Sequence, residues 1–250
     1  MGFDRLFRLL FLCWLGLAAL LAQAQAPLRI GTLDIPPFGL RSETGQAEGA
    51  FYGLGQRIAA LAQEAPDNQL LPTARLYALL QRRQLDLAIS SRSLDRDMGL
   101  IRLGQVWQFE GVIVYHKDSR LAPRQLNDFS GKQLGRLKDS CPAVARVPGV
   151  RIYELSEYGQ GLRMLVAKRL DGLCAERYGL LYAARDEPEA LFTMAEPFPF
   201  LTTPVWVFAN PKLDPQRIER LRQAVVQVQR EGEMEKQMAP YLPKRIYGSQ

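Results

Sequence analysis

Apolar residues recur along the chain with two spacings, and each spacing predicts a different kind of element. Short apolar runs, the first of which alternates with polar residues over 28–33, predict strands. The predicted strands are 28–33, 85–89, 112–115, 132–137, 171–175 and 205–208. Apolar positions three or four residues apart predict amphipathic helices between them. The predicted helices cover roughly 54–62, 73–83, 162–170, 178–185 and 218–228, with a short final helix after Gly232.

This succession of helices and strands predicts an α/β protein with largely parallel sheets. The chain has no internal repeat of fixed period. A weaker echo joins residues 83–88, Arg-Gln-Leu-Asp-Leu-Ala, with residues 168–173, Lys-Arg-Leu-Asp-Gly-Leu. In both places a helix runs into a strand through a basic residue, Leu and Asp. Two similar α/β lobes would produce such an echo.

The first 26 residues have the pattern of a secretory signal peptide. Arg5 and Arg8 precede the apolar run from Leu9 to Leu21, which is short for a membrane span. Ala-Gln-Ala at 24–26 then forms a cleavage site. We expect cleavage and a periplasmic protein that begins near residue 27. The alternative is an uncleaved membrane anchor.

Composition narrows the function classes. With 250 residues, 47% hydrophobic and 23% charged, the chain is typical of a globular protein. One His excludes a multi-His metal site, and a Ser-His-Asp hydrolase would depend on His116 alone. We therefore expect no metal or cofactor. The net charge of +6 comes from scattered basic residues, and export argues against nucleic acid as a partner.

Two cysteines, Cys141 and Cys174, follow the predicted leader. Disulfides persist in exported proteins, so an even number of cysteines is compatible with a bond between them. The alternative is a pair of small buried apolar side chains.

Several motifs, taken in order, resemble those of one protein family. They lie at 28–32, 37–38, 86–89, 91–96, 131–135, 169–172 and in the closing helix with Gly232. Through them, residues 27–250 resemble the bacterial family-3 extracellular solute-binding proteins. These are the periplasmic receptors of polar amino-acid uptake systems.

The resemblance implies the type II periplasmic binding protein fold, in which two α/β lobes are joined by two hinge strands. Lobe one would hold 27–107 and 204–250, and lobe two 112–199. The hinges would lie near 108–111 and 200–203. The resemblance also implies a monomer that binds a small polar solute and contacts the membrane permease of an ABC transporter.

An amino acid needs a cation for its carboxylate and an anion for its ammonium. Arg96 stands at the family's carboxylate-binding position, and an Arg fork suits that task. Ser91 and Ser93 stand at the family's matching Ser and Thr positions. The alternatives are a surface Arg96 paired with a neighbouring Asp, and serines that only cap a helix.

Glu176 occupies the position of the ammonium-binding acid, where the family usually has Asp. Its alternative role is a solvent-facing acid in the first turn of the next helix, stabilised by the helix dipole. Ser140 and Cys141 lie where lobe two of the family contacts the ligand, and the Cys departs from the usual pattern. The alignment also places Cys141 beside the strand that carries Cys174.

Lobe one offers further lining residues, which are Asp34, Phe38, Arg75 and Trp107. For Phe38 and Trp107, core packing is an equal interpretation. Ile35 stands where many relatives carry an aromatic platform, so the identity of the ligand stays open.

Three functions are compatible with these residues. The first is a receptor that closes on an amino acid and delivers it to an importer. The second is a periplasmic enzyme of the cyclohexadienyl dehydratase type, with Glu176 as its acid/base group. The third is an accessory or sensory binding protein without a transport task.

Overall fold

A computed structural model of the protein describes residues 26–138 and 140–243. The predicted leader, apart from residue 26, lies outside the described residues. The strands are β1 (Leu28–Leu33), β2 (Leu40–Arg41), β3 (Ala47–Glu48), β4 (Pro66–Leu71), β5 (Leu87–Ser90), β6 (Ile101–Val114), β7 (Gln133–Leu137), β8 (Arg151–Leu155), β9 (Gly172–Glu176) and β10 (Phe198–Ala209). The α-helices are α1 (Ala50–Leu61), α2 (Thr73–Gln81), α3 (Leu94–Met98), α4 (Tyr158–Val166), α5 (Arg177–Ala183), α6 (Pro188–Thr193), α7 (Pro215–Arg230) and α8 (Glu233–Met238).

The main sheet has eight strands in the order β4-β1-β5-β10-β6-β9-β7-β8. Strands β4, β1 and β5 are parallel, and so are β8, β7 and β9. Between these two parallel sets, β10 and β6 run antiparallel to each other and to their outer neighbours. The predicted α/β class is confirmed, and the long antiparallel pair qualifies the expectation of largely parallel sheets.

Helices cover both faces of the first half of the sheet. Val205 and Val207 of β10 pack with α1, α7 and α8, whereas Trp206 and Phe208 pack with α2 and α3. Successive strand residues point to opposite faces, so these two helix groups lie on opposite sides. The second half repeats the arrangement, with α4, α5 and α6 on one face and the 3₁₀ turns 126–129 and 144–146 on the other. Each half therefore encloses its own pair of apolar cores.

The similar segments 83–88 and 168–173 form the same hydrogen-bonded arrangement in the two halves. Asp86 precedes β5, and its carboxylate accepts the backbone N–H of Arg29 on β1 at 3.1 Å. Asp171 precedes β9, and its carboxylate accepts the backbone N–H of Gln133 on β7 at 2.8 Å. In each case the Asp backbone N–H also donates to the carbonyl of the same residue. The repeated Leu-Asp thus sets the register of equivalent parallel strand pairs.

The sequence prediction found only part of the two central strands. It placed strands at 112–115 and 205–208, whereas β6 covers Ile101–Val114 and β10 covers Phe198–Ala209. Gln108 and Glu110 interrupt the apolar pattern because the middle of β6 is partly exposed between the two cores. The predicted hinges fall within this paired middle, where Gln108 pairs with Pro204 and Gly111 with Leu201. The lobe and hinge bounds stay a prediction.

Strands β4 and β8 were also missed, as was α6. Both strands lie at the ends of the sheet and carry exposed polar residues, such as Asp67 and Glu154. An edge strand with a solvated face lacks the apolar run by which the other strands were recognised.

A disulfide joins Cys141 to Cys174. Cys174 lies fully buried on β9, and Cys141 follows the loop after β7. The bond therefore ties that loop to the strand that ends at Glu176. Among the described residues, none of the helices is long and apolar enough to cross a membrane.

We expect reduction of this disulfide to lower the free energy of unfolding by about 3–4 kcal/mol, because the unfolded chain regains the freedom of a long loop. Urea unfolding with and without reductant measures the change. The Cys141→Ala/Cys174→Ala double variant is the control, since reductant should leave it unaffected. An unchanged wild-type midpoint under full reduction would contradict the expectation.

Candidate functional site

The carboxyl ends of β5 and β9 converge on the middle of β6. Ser90, the last residue of β5, pairs with Trp206, which in turn pairs with Gln105 of β6. Glu176, the last residue of β9, pairs with Gly111 of β6. Because β5 runs parallel to β6 and β9 runs antiparallel to it, the two ends point toward each other, about 20 Å apart along the strand. Carboxyl ends of parallel strands are where α/β sheets bind ligands.

Arg96 extends from α3, just after the end of β5, and is exposed. Its guanidinium donates to the hydroxyl of Ser93 at 2.8 Å. The alternative pairing with Asp95 or Asp97 is absent, because Asp95 pairs with Arg102 and Asp97 lies 3.4 Å from Arg92. Among the described residues Arg96 therefore has no carboxylate partner, and its charge is available to an external anion.

Arg92 is a second cation at this edge that the sequence prediction did not name. Its guanidinium lies 4.5 Å from the ring centre of Tyr77, a cation–π contact. The backbone N–H of Arg92 donates to the buried hydroxyl of Ser90 at 3.1 Å. Its position beside the predicted ligand residue Ser91 was the available signal.

Glu176 caps α5 and keeps one oxygen unpaired. Its Oε2 accepts the backbone N–H of Gly179 at 2.8 Å, so Glu176 is the N-cap of α5 and not a solvent-facing acid in its first turn. Its Oε1 is buried and has no hydrogen-bond partner among the described residues. The backbone N–H of Glu176 donates to the Tyr158 hydroxyl at 3.2 Å, which fixes the end of β9. An unpaired buried carboxylate oxygen is costly unless a ligand or a proton satisfies it.

Burial raises the pKa of Glu176 to about 7, although hydrogen bonds from nearby backbone N–H groups and the charge of Arg177 act in the opposite direction. Burial also raises the pKa of Tyr158 to about 12, which keeps that phenol neutral beside the carboxyl group. Glu176 therefore exchanges its proton near neutral pH, and an approaching cation would favour the ionised form.

In the second half, the loop after β7 is held by its own contacts. The Ser140 hydroxyl donates to the Leu137 carbonyl at 2.7 Å, and the Arg136 guanidinium donates to the Ser140 carbonyl at 2.8 Å. Cys141 uses its sulfur in the disulfide. A contact between Cys141 and a ligand therefore cannot come from a free thiol.

Most of the remaining predicted residues belong to the first half. Asp34 follows β1, and Arg75 lies in the first turn of α2; both are exposed, as is 42% of Ile35. Phe38 is only 6% exposed and packs against Phe51, with ring centres 4.7 Å apart. For Phe38 the structure therefore favours core packing over ligand contact.

Trp107 lies apart from the other predicted residues, in a cavity of about 770 Å³ beside β6. The cavity is bounded by residues 105–108 and 110 of β6, by Thr202 of β10, by the ends of α7 and α8, and by Tyr178 of α5. The Trp107 and Tyr178 ring centres are 5.0 Å apart. Of the residues predicted to bind the ligand, Trp107 alone lines this cavity.

The described residues contain no group of three or more His, Cys, Asp and Glu side chains that could hold a metal ion. The donor set at the facing strand ends is instead made of guanidinium, hydroxyl and carboxyl groups.

Comparison with known proteins identifies the fold. No protein-family model matches the chain, and no curated protein matches it by sequence. Among solved structures, an ancestral cationic amino acid solute-binding protein has a TM-score of 0.69 at 17% identity, covering 87% of this chain and 96% of its own. An ancestral arginine-binding protein bound to arginine has a TM-score of 0.65 at 18% identity, covering 88% and 100%. The second substrate-binding domain of GlnP from Lactococcus lactis, in an open conformation, has a TM-score of 0.65 at 16% identity, covering 88% and 97%.

These similarities show that the chain has the two-lobed α/β fold of periplasmic binding proteins. The resemblance to the family-3 solute-binding proteins is thereby confirmed at the level of the fold. The roles of the individual site residues stay predictions.

We expect the free energy of unfolding to fall as pH rises from about 5 to 8. The pKa of Glu176 in the folded protein is about 7 against an ordinary value of 4.5, so in this range the folded state binds more protons than the unfolded state. Through Glu176, the free energy of unfolding would fall by about 3 kcal/mol, and the fall would be complete once the pH is above 7. Urea unfolding at several pH values measures it.

Glu176→Gln should remove this part of the pH dependence, since the amide does not titrate. Glu43→Gln, at an exposed loop position, is the matched control and should keep the wild-type slope. Equal slopes in wild type and Glu176→Gln would refute the assignment.

Proposed function

We propose that the protein is a periplasmic solute-binding receptor that closes on a small polar ligand, an amino acid, and delivers it to an ABC-type importer. The observation that carries the proposal is a pair of groups at the facing strand ends that can each still take a charged partner. Arg96 has no carboxylate partner among the described residues, and Oε1 of Glu176 has no hydrogen-bond partner there.

The two groups match the two charges of an amino acid. Arg96 would bind the ligand carboxylate through two parallel hydrogen bonds, with Ser91 and Ser93 beside it. Glu176, ionised on binding, would accept the ligand ammonium. A ligand would thus satisfy a buried oxygen that is otherwise unpaired, which favours the bound state.

The ligand would contact both lobes and so favour the closed arrangement over the open one. The moving bodies are the predicted lobes, 27–107 with 204–250 and 112–199. The hinges would be the crossing segments 108–111 and 200–203, which are the stretches of β6 and β10 between the two sets of cores.

Three further observations support this function. The solved structures named above are binding proteins rather than enzymes, and one of them holds arginine. Another similar structure is the substrate-binding protein of an amino acid ABC transporter, with a TM-score of 0.57 at 17% identity. The leader pattern and the disulfide are both typical of an exported protein.

Isothermal titration calorimetry with the common amino acids tests the proposal. We expect at least one to bind, and Arg96→Ala to weaken that binding by about tenfold to a hundredfold, because a charge-assisted hydrogen-bonded pair is lost. Arg120→Ala is the matched control, since Arg120 is exposed and far along the chain from the strand ends. Absence of binding to every amino acid, or equal binding by Arg96→Ala, would overturn the proposal.

The affinity for the same amino acid should fall about tenfold between pH 8 and pH 6. The reason is that the ligand ammonium binds the ionised form of Glu176, whose pKa is about 7, and protons compete with it below that value. Glu176→Gln should bind more weakly and lose this pH dependence. Titrations at pH 6, 7 and 8 provide the measurement, and a pH-independent wild type would exclude Glu176 as the ammonium partner.

A further inference from the structure

The cavity beside β6 is separate from the proposed amino-acid site. It lies on the face of the sheet that α1, α7 and α8 cover, because Leu54, Val228 and Met234 of these helices line it. Arg96 belongs to α3, which packs on the opposite face of the first half. Neither Arg96 nor Glu176 lines the cavity.

The charge of the cavity is opposite to that of the whole protein. The chain carries a net charge of +6, yet the charged residues of the lining are Glu110 and Glu235, with no Lys or Arg among them. Glu110 forms an ion pair with Arg177, which does not line the cavity. Glu235 is exposed and has no ion-pair partner within residues 26–138 and 140–243. One carboxylate in the wall is therefore uncompensated.

Tyr178 in the cavity wall lies near several carboxylates. Its pKa is raised, first by burial and then by the negative charges of Glu176, Glu110 and Glu235, while Arg177 acts in the opposite direction. A group whose loss of a proton is opposed by three carboxylates lies where a cation is favoured.

The walls also offer aromatic faces. Trp107 and Tyr178 lie with ring centres 5.0 Å apart and ring planes inclined at 58°, which forms a corner rather than a flat stack. Aromatic corners beside a carboxylate bind ammonium groups through the negative faces of the rings. The volume of about 770 Å³ is in the range of small-molecule sites.

We propose that this cavity is a second binding site, for a small organic cation that carries an alkylammonium group. The cation would lie against Trp107 and Tyr178, with Glu235 as its counter-charge. The walls come from both halves of the molecule, since Tyr178 belongs to α5 and the rest to the first half and the crossing strands.

Calorimetry with choline tests the proposal, and 3,3-dimethylbutan-1-ol, which has the same shape without the charge, is the matched control ligand. We expect choline to bind at least tenfold more tightly than the neutral alcohol, because the rings and the carboxylate attract the charge. Glu235→Gln should weaken choline binding about fivefold to tenfold, and Trp107→Leu should weaken it at least as much. Glu189→Gln, at an exposed site on α6, should have no effect.

Because Glu235 is exposed, its substitution should leave the fold intact, which circular dichroism checks. Equal binding of choline and the alcohol, no binding of either, or an undiminished affinity in Glu235→Gln would each overturn the proposal. Complete loss of choline binding in Glu176→Gln would place the cation at the strand ends instead and would also overturn it. None of these outcomes depends on whether an amino acid binds.

Discussion

The antiparallel pairing of β6 with β10 is the interaction on which the rest of the structure depends. Each strand runs through both halves, so one ladder of hydrogen bonds aligns two otherwise separate sets of parallel strands. The direction of this pair decides that the carboxyl ends of β5 and β9 point toward each other. The proposal that Arg96 and Glu176 bind opposite ends of one ligand depends on that orientation.

The two proposed sites differ in the charged residues that they contain. At the end of β5, Arg92 and Arg96 carry positive charge, and at the end of β9 burial raises the pKa of Glu176 to about 7. Beside β6, the acidic residues Glu110 and Glu235 lie near aromatic rings.

The sequence predicted the fold best where a local pattern of apolar residues marks an element by itself. The α/β class, the helices with a clear apolar stripe and the paired Leu-Asp segments could all be read from it. The edge strands β4 and β8 could not, because their outer faces are solvated and their apolar signal is short. The middle of β6 was not predicted as a strand for a related reason. Gln108 and Glu110 lie between the cores, and such polar residues are typical of loops.

The candidate site was predictable only through resemblance. Spacing alone could not bring residue 96 and residue 176 to opposing edges, because that requires the direction of strands far apart in the chain. Phe38 could not be assigned from the sequence, because a Phe after a strand end is equally suited to a ligand cleft or to an apolar core. Its contact with Phe51 shows that it belongs to the core. Arg92 was overlooked because its partner Tyr77 lies on α2, an element distant from it in the chain.

The disulfide makes the proposed ligand site depend on the redox conditions in which the protein is produced. It links the loop that holds Ser140 to the strand that ends at Glu176, so two parts of the proposed site are covalently joined. A chain produced in a reducing cytoplasm would have the same amino acids but would lack that brace. Its loop would then be held to the strand by packing alone, so samples that differ only in thiol oxidation are not equivalent in binding measurements.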